Sequence, residues 1–142
     1  MPDGFPSLQP AFTVRVDIDT AIPVGGQSGT NLIIVPMVSG TVKSEPGFEP
    51  ALDAELNSDG TILAMFYKGT VTLTPAVQAL LGKAPDAKTT DYGDSFVTFT
   101  FETGSEKYKD LQNGTYVASG HFIKEPGVKG VIVEYKVSKV VV

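Results

Sequence analysis

Apolar and polar residues alternate along much of this chain. In four segments nearly every second residue is apolar, which is the pattern of a β-strand with one buried face. These segments are residues 11–19, 95–102, 115–124 and 131–141. The sequence therefore predicts a protein built mainly from strands.

Residues 52–73 have the pattern of a β-hairpin. Residues 52–57 alternate, Ser58, Asp59 and Gly60 suit a tight turn, and residues 61–73 are rich in apolar side chains on both faces. A strand that is apolar on both faces is typical of the middle of a sheet. We therefore expect this hairpin to be central to the fold.

Proline and glycine mark the breaks in the pattern. Residues 31–43 predict a strand interrupted at Pro36 and Gly40, because proline has no N–H for a β-ladder. Residues 75–82 predict a helix capped by Thr74. A second short helical turn is expected over residues 106–112.

Together these elements predict a single all-β domain with minor α content over residues 1–142. Seven to nine sequential antiparallel strands favour a closed β-barrel with one or two short helices, since closure removes exposed strand edges. Residues 1–10 contain three prolines and little periodicity. We expect them to form a loosely ordered N-terminal arm.

Composition narrows the classes of function. The net charge is −5, and the basic residues are a single arginine and ten scattered lysines, so neither a nucleic-acid partner nor a membrane surface is expected. The chain has no cysteine and one histidine, which makes a metal site improbable, and no cofactor is expected. No signal-peptide pattern is present, so a cytoplasmic location is expected.

Four residues are candidates for acid–base chemistry. Glu102 or Asp17 could act as a base, Tyr116 (or Tyr67 of the lining described below) could donate a hydrogen bond to an enolate, and His121 could relay a proton if it turns inward. The alternation of its strand places His121 opposite Tyr116, so a surface histidine is the simpler interpretation. Asp17 lies on the polar face of its own strand.

A second set of residues is a candidate ligand lining. Arg15, the only arginine, could clamp a carboxylate or form an exposed ion pair across two strands. Inward phenol groups favour a barrel that holds a small ligand over a filled one. The proposed lining is Met65, Phe66, Tyr67, Phe99, Phe101 and Tyr135.

The order of several short motifs resembles a known family. FTVRVDI, IIVPMVSGTV, SDGTILAMFYKGTV, PAVQALLGK, FETG and YKDLQNGTYVASG follow one another as in the family catalogued as domain of unknown function 3237, small barrel proteins of bacteria and fungi. The resemblance implies a barrel similar to those of lipocalins and allene-oxide cyclases, dimeric or larger, with no settled activity. A Gly-Gly-Ala-Asp-Trp stretch usual in the family is missing here, which implies a differently shaped site.

Two functions are compatible with a hollow barrel, and a filled barrel that acts only through its surface is a third possibility. The first is a cofactor-free cyclase or isomerase of a small hydrophobic, polyketide- or terpenoid-like secondary metabolite, which needs an apolar cavity and a proton-moving group. The second is a lipocalin-like carrier that binds such a ligand without catalysis. A homodimer or larger homo-oligomer is expected, because residues 140–142 are all valine and so apolar on both faces.

Overall fold

The computed structural model describes residues 3–25, 33–55 and 63–142. Two helices, α1 (Pro75–Leu81) and α2 (Lys109–Gln112), are present, and a 3₁₀ turn at Glu106–Tyr108 leads into α2. The strands are β1 (Ser7–Ile18), β2 (Ile22–Pro23), β3 (Ile33–Ile34), β4 (Met37–Ser44), β5 (Asp53–Glu55), β6 (Leu63–Val71), β7 (Ser95–Thr103), β8 (Tyr116–Ile123) and β9 (Val131–Val141). The prediction of a mostly β protein with two short helices is confirmed.

Seven of these strands form one antiparallel sheet in the order β5-β4-β1-β9-β8-β7-β6, and β2 pairs with β3 separately. The sheet curls strongly into a half-barrel. We call its concave side, which carries Val14 and Tyr135, the inner face, and the side that carries Arg15 and Glu134 the outer face. The two residues named for each face lie side by side on neighbouring strands, because Val14 pairs with Tyr135 and Arg15 pairs with Glu134.

The core lies on the inner face, because the alternation of each strand sends its apolar residues there. In β8 every second residue is buried, from Tyr116 to Phe122. Aromatic rings fill one end of the interior, and neighbouring ring centroids lie 5.3 to 6.4 Å apart. The rings of this cluster belong to Phe12, Phe48, Phe99, Phe101 and Tyr116.

The sheet is open, so the prediction of a closed barrel is wrong. Within the described residues β5 pairs with β4 and β6 pairs with β7, which places β5 and β6 at opposite ends of the sheet. The predicted central hairpin is therefore also wrong, and its turn at residues 58–60 lies outside the described residues. The second arm was misread because Phe66 and Val71 are apolar yet exposed, at 54% and 43%.

Strand β1 begins inside the segment that was predicted to be a loose arm. Ser7 pairs with Val141 and Leu8 with Val140. Pro10 is accommodated at a shift of register, where the missing N–H is tolerated. This pairing also half-buries Val140 and Val141, whereas Val142 is 95% exposed. The homo-oligomer stays a prediction, and of the three C-terminal valines only Val142 still supports it.

The local signals of proline and helix capping are confirmed. The Thr74 hydroxyl accepts a hydrogen bond from the Val77 N–H at 3.3 Å, and α1 ends at Leu81 before Gly82. Pro36 lies between β3 and β4. Side-chain caps and missing backbone donors act within a few residues, which is why the sequence reveals them.

Candidate functional site

The predicted site residues divide between the two faces of the sheet. On the inner face lie Met65, Tyr67, Phe99, Phe101, Tyr116 and Tyr135. On the outer face lie Arg15, Asp17, Phe66, Glu102 and His121. The predicted bases and the predicted phenol donors therefore do not come together in one site.

The reason is that side chains alternate between the two faces along each strand, so the position of a residue in its strand decides which face it lies on. Glu102 follows Phe101, which is 4% exposed and points inward, so the Glu102 side chain points outward into solvent. Its role as a base beside Tyr116 is therefore wrong. The Asp17 carboxylate also faces outward, where it accepts a hydrogen bond from the Ser39 hydroxyl of β4.

Tyr116, Phe99 and Phe101 are packing residues. They are 1%, 1% and 4% exposed, and their rings contact one another or other rings of the aromatic cluster. Burial raises the pKa of the Tyr116 phenol, with a smaller contribution from the negative charge of Asp110. These three residues fill the interior at their end of the sheet.

The other end of the interior carries three hydroxyl groups, those of Tyr67, Ser95 and Tyr135, which we call the hydroxyl cluster. The ring centroids of Tyr67 and Tyr135 are 5.4 Å apart, and the Tyr67 ring stacks on Phe99 at 5.0 Å. Ser95 is the register partner of Gly120, and Gly120 that of Tyr135. Adjacent strands thus bring the three hydroxyls to one place.

Both phenols of the hydroxyl cluster are protonated at neutral pH. The pKa of Tyr135 is raised strongly, first by burial and then by Tyr67, and the Ser95 hydroxyl lowers it in part. Burial also raises the pKa of Tyr67, which a hydrogen bond from Tyr135 lowers in part. No carboxylate or imidazole shifts either phenol within the described residues. The cluster therefore offers neutral donors and acceptors.

Ser95 is the unusual member of the cluster. Its side chain is fully buried, and its hydroxyl oxygen makes no hydrogen bond of normal geometry with any described residue. A buried polar group without a partner costs about 1–3 kcal/mol. Such groups are uncommon in folded proteins, because most buried polar atoms are hydrogen-bonded.

The hydroxyl cluster lies beside the open side of the half-barrel. Tyr67 belongs to the terminal strand β6, and its hydroxyl donates to the Met37 sulfur of β4 at 3.4 Å. This contact bridges the two ends of the curled sheet. Met37 is 46% exposed, so this contact lies near the surface of the described residues.

A second polar group, the outer ionic cluster, consists of Arg15, Tyr92, His121 and Glu134. The Tyr92 hydroxyl donates to Glu134 Oε1 at 2.8 Å, and His121 Nε2 lies 3.2 Å from the same oxygen. The Tyr92 ring stacks on the imidazole, with centroids 4.1 Å apart. Arg15 Nε lies 3.7 Å from Glu134 Oε2, so the interpretation of Arg15 as a cross-strand ion pair is confirmed.

His121 is held in place by two acceptors. Its Nδ1 lies 2.9 Å from the Thr90 carbonyl oxygen, and its Nε2 faces the Glu134 carboxylate. Both ring nitrogens are therefore engaged on the outer face, and the predicted proton relay into the interior is wrong. Burial raises the pKa of Glu134, but hydrogen bonds from Tyr92 and His121, with the charges of His121 and Lys136, lower it further than burial raises it.

Three residues of these clusters were missed by sequence reasoning. The alternation of β7 and β9 assigns Ser95 to the inner face and Glu134 to the outer face, but it does not single out either residue as functional. Tyr92 lies in the loop before β7 and contacts Glu134 across 42 positions of sequence. No local pattern predicts such a contact.

Among the described residues, a smaller and a larger cavity open on the outer face. The smaller, of about 500 Å³, is lined by Arg15, Asp17, Ser39, Gly40, Thr41, Glu125, Val128 and Ile132. The larger, of about 790 Å³, crosses β6 to β9.

No group of three or more histidine or acidic side chains within the described residues is arranged to hold a metal ion. None of the helices formed by the described residues is long and apolar enough to cross a membrane.

Solved structures define the class of this fold. A conserved protein of unknown function from Rhodopseudomonas palustris has a TM-score of 0.65 at 18% identity, covering 96% of this chain and 99% of that one. A protein of unknown function from Clostridium acetobutylicum has a TM-score of 0.56 at 20% identity, covering 96% and 100%. A β-barrel-like protein from Acinetobacter baumannii has a TM-score of 0.57 at 17% identity, covering 96% and 97%. The fold is thus of a barrel-like class.

The sequence profile of the family described as "Protein of unknown function (DUF3237)" matches residues 6–60 and 55–140. The chain belongs to this family, and the resemblance noted from its motifs is confirmed. The search of curated proteins found no match.

Proposed function

We propose that this protein binds a small, mostly apolar molecule at the hydroxyl cluster and carries it without chemical change. The observation that supports this most strongly is the buried Ser95 hydroxyl, which lies beside the Tyr135 phenol but makes no hydrogen bond of normal geometry with the described residues. A ligand carbonyl or hydroxyl placed there would complete its hydrogen bonding and those of Tyr67 and Tyr135.

The surroundings of the cluster suit an apolar body with one polar group. Phe99 and Met65 adjoin the phenols, and Met37 lies at the opening between β4 and β6. Methionine adapts its shape to different ligands because its side chain is unbranched and polarisable. The polar group of the ligand would therefore face the hydroxyls, and its apolar part would lie against these side chains.

Binding is favoured over the cyclase or isomerase reaction, which stays a prediction. Such a reaction needs a base within hydrogen-bonding reach of the substrate. The predicted bases, Glu102 and Asp17, lie on the outer face, whereas the phenols lie on the inner face. The described inner face supports recognition by neutral hydrogen bonds.

The test uses prodan, a fluorescent naphthalene with a neutral ketone, titrated into the purified protein. Tyr67→Phe and Tyr135→Phe each remove one hydroxyl while keeping the ring. We expect the affinity for prodan to fall about threefold to tenfold in each variant, as a neutral hydrogen bond of about 0.5–1.5 kcal/mol requires.

Tyr92→Phe is the matched control, because it removes a phenol hydroxyl from the outer face. It should leave prodan binding unchanged. Equal affinity in the wild type and both inner-face variants would refute the proposed site. A ketone-containing probe that is chemically altered on incubation would favour the isomerase instead.

A further inference from the structure

The larger outer cavity is a shallow groove across five strands, β6 to β9 and the start of β1, which we call the outer groove. Its volume of about 790 Å³ lies within the range of small-molecule sites. It is lined by Leu8, Lys68, Gly69, Thr70, Phe96, Val97, Thr98, Val117, Ala118, Ser119, Lys136 and Ser138.

The outer groove is apolar where the outer face of a sheet is ordinarily polar. Leu8 and Phe96 are 59% and 56% exposed, and Val117 lies between them on β8. Exposed apolar side chains that line a concave site favour the binding of an apolar ligand. Because these side chains face solvent, they contribute little to the packing of the core.

The charge of the outer groove is opposite to that of the protein. The chain has 16 acidic and 11 basic residues, yet the groove is lined by two lysines and no acidic residue. The Lys136 ammonium is already engaged by the Thr13 hydroxyl at 2.7 Å and the Glu45 carboxylate at 3.6 Å. Lys68 makes no side-chain hydrogen bond or ion pair with the described residues, so it is the cation left for an anion.

The register sets the length of the site. Lys68 pairs with Thr98, Thr98 with Val117, and Val117 with Ser138, so these residues form one row across β6, β7, β8 and β9. Three strand spacings of about 4.8 Å make this row about 14 Å long, the length of an alkyl chain of roughly ten to twelve carbons. The free cation lies at one end of the row.

We propose that the outer groove binds a free long-chain carboxylate, with the carboxylate at Lys68 and the alkyl chain lying over Phe96 and Val117 towards Leu8. This site is separate from the hydroxyl cluster, because the two occupy opposite faces of the sheet. Charge complementarity decides the occupant, since a neutral lipid would leave Lys68 unused and a cationic one would be repelled.

The experiment is isothermal titration of the full chain with dodecanoate below its micelle concentration at low salt. Dodecyltrimethylammonium serves as a probe of the same chain length and opposite charge. We expect one dodecanoate per chain, with affinity about threefold to tenfold lower in Lys68→Met and in Phe96→Ala. Lys43→Met, which removes an exposed lysine of β4 outside the groove, should leave the affinity unchanged.

Four outcomes would overturn the proposal. The first is that Lys68→Met binds dodecanoate as tightly as the wild type, and the second is that the wild type binds dodecyltrimethylammonium as tightly as dodecanoate. The third is that Tyr67→Phe loses dodecanoate binding. The fourth is that the wild type is a dimer that binds no dodecanoate, and that this dimer dissociates in Phe96→Ala. The third would place the alkyl chain in the interior. The fourth, measured by sedimentation equilibrium, would assign the groove to contact with a second copy.

Discussion

The ring of Tyr135 lies against the backbone of Gly120 on the neighbouring strand. A Cβ atom at position 120 would lie 2.6 Å from Tyr135 Cε1 and 3.4 Å from the Cβ of Ser95. Because Gly120 has no side chain, the Tyr135 ring can lie across it, and this places the Tyr135 phenol beside the other hydroxyls of the cluster. The shape of the candidate site depends on a residue that carries no side chain.

The first prediction is that Gly120→Ala destabilises the protein. The methyl group would overlap the Tyr135 ring, and overpacking of a core typically costs about 1–3 kcal/mol. Urea unfolding followed by tyrosine fluorescence measures this loss. Gly104→Ala is the control, because nothing lies within 4 Å of a Cβ there; a similar effect at both positions would contradict the argument.

The second prediction is that Gly69→Ala destabilises more than Gly120→Ala. A Cβ at Gly69 would lie 2.6 Å from Val97 Cα and would overlap the Phe96 carbonyl oxygen. Backbone atoms cannot turn aside as a tyrosine ring can, so β6 would have to separate from β7. The urea midpoints of the two variants, measured side by side, give the comparison. A smaller loss of stability in Gly69→Ala than in Gly120→Ala would show that the edge strand β6 can move away from β7 at little cost.

The third prediction concerns two serines on opposite faces. Ser95→Ala should leave the free energy of unfolding of the ligand-free protein unchanged or raise it, because the buried hydroxyl that it removes makes no hydrogen bond of normal geometry with the described residues. Ser39→Ala should lower it by about 1 kcal/mol, since the Ser39 hydroxyl donates to Asp17. Thermal unfolding of both variants checks this contrast. A large loss in Ser95→Ala would mean that its hydroxyl is bonded in the folded protein.

The fourth prediction is that Glu134 contributes to acid denaturation. Its pKa in the folded protein lies below the ordinary value of 4.5. Its ionised form therefore contributes stability that is fully present above pH 4.5 and is lost as the pH falls through the folded pKa. Between pH 6 and pH 3 the wild type should lose more stability than Glu134→Gln, measured as the urea midpoint at each pH.

The groups that face Glu134 supply a control for this pH dependence. Tyr92→Phe removes the hydrogen bond at 2.8 Å that helps to lower the pKa of Glu134, while His121 and Lys136 remain. Its pH profile should therefore lie between those of the wild type and Glu134→Gln. Identical pH profiles for all three proteins would show that Glu134 does not contribute to acid denaturation.

Much of the strand content could be predicted because alternation is a local property. The boundaries of β9 were predicted at residues 131–141, where they are observed, and β8 differs by one residue at each end. The same alternation placed Asp17 and His121 on polar faces. It also assigns Glu102 to the face opposite Phe101, which is where the structure has it.

The candidate site was only half predictable. The sequence indicated Tyr67 and Tyr135 because inward phenols on long strands are unusual in a dry core. It did not indicate Ser95, since one serine in an alternating strand is ordinary. The importance of Ser95 depends on which strand lies beside it, through Gly120 and Tyr135.

By itself the sequence determined most of the strands and their faces, the helix cap at Thr74 and the break at Pro36, because these features depend on residues that are close together in sequence. Only the tertiary structure decided that β5 and β6 lie at opposite ends of an open sheet. Pairing partners depend on contacts between segments far apart in sequence, and either pairing would satisfy the same alternation. The hydroxyl cluster and the outer groove both arise from that choice of partners.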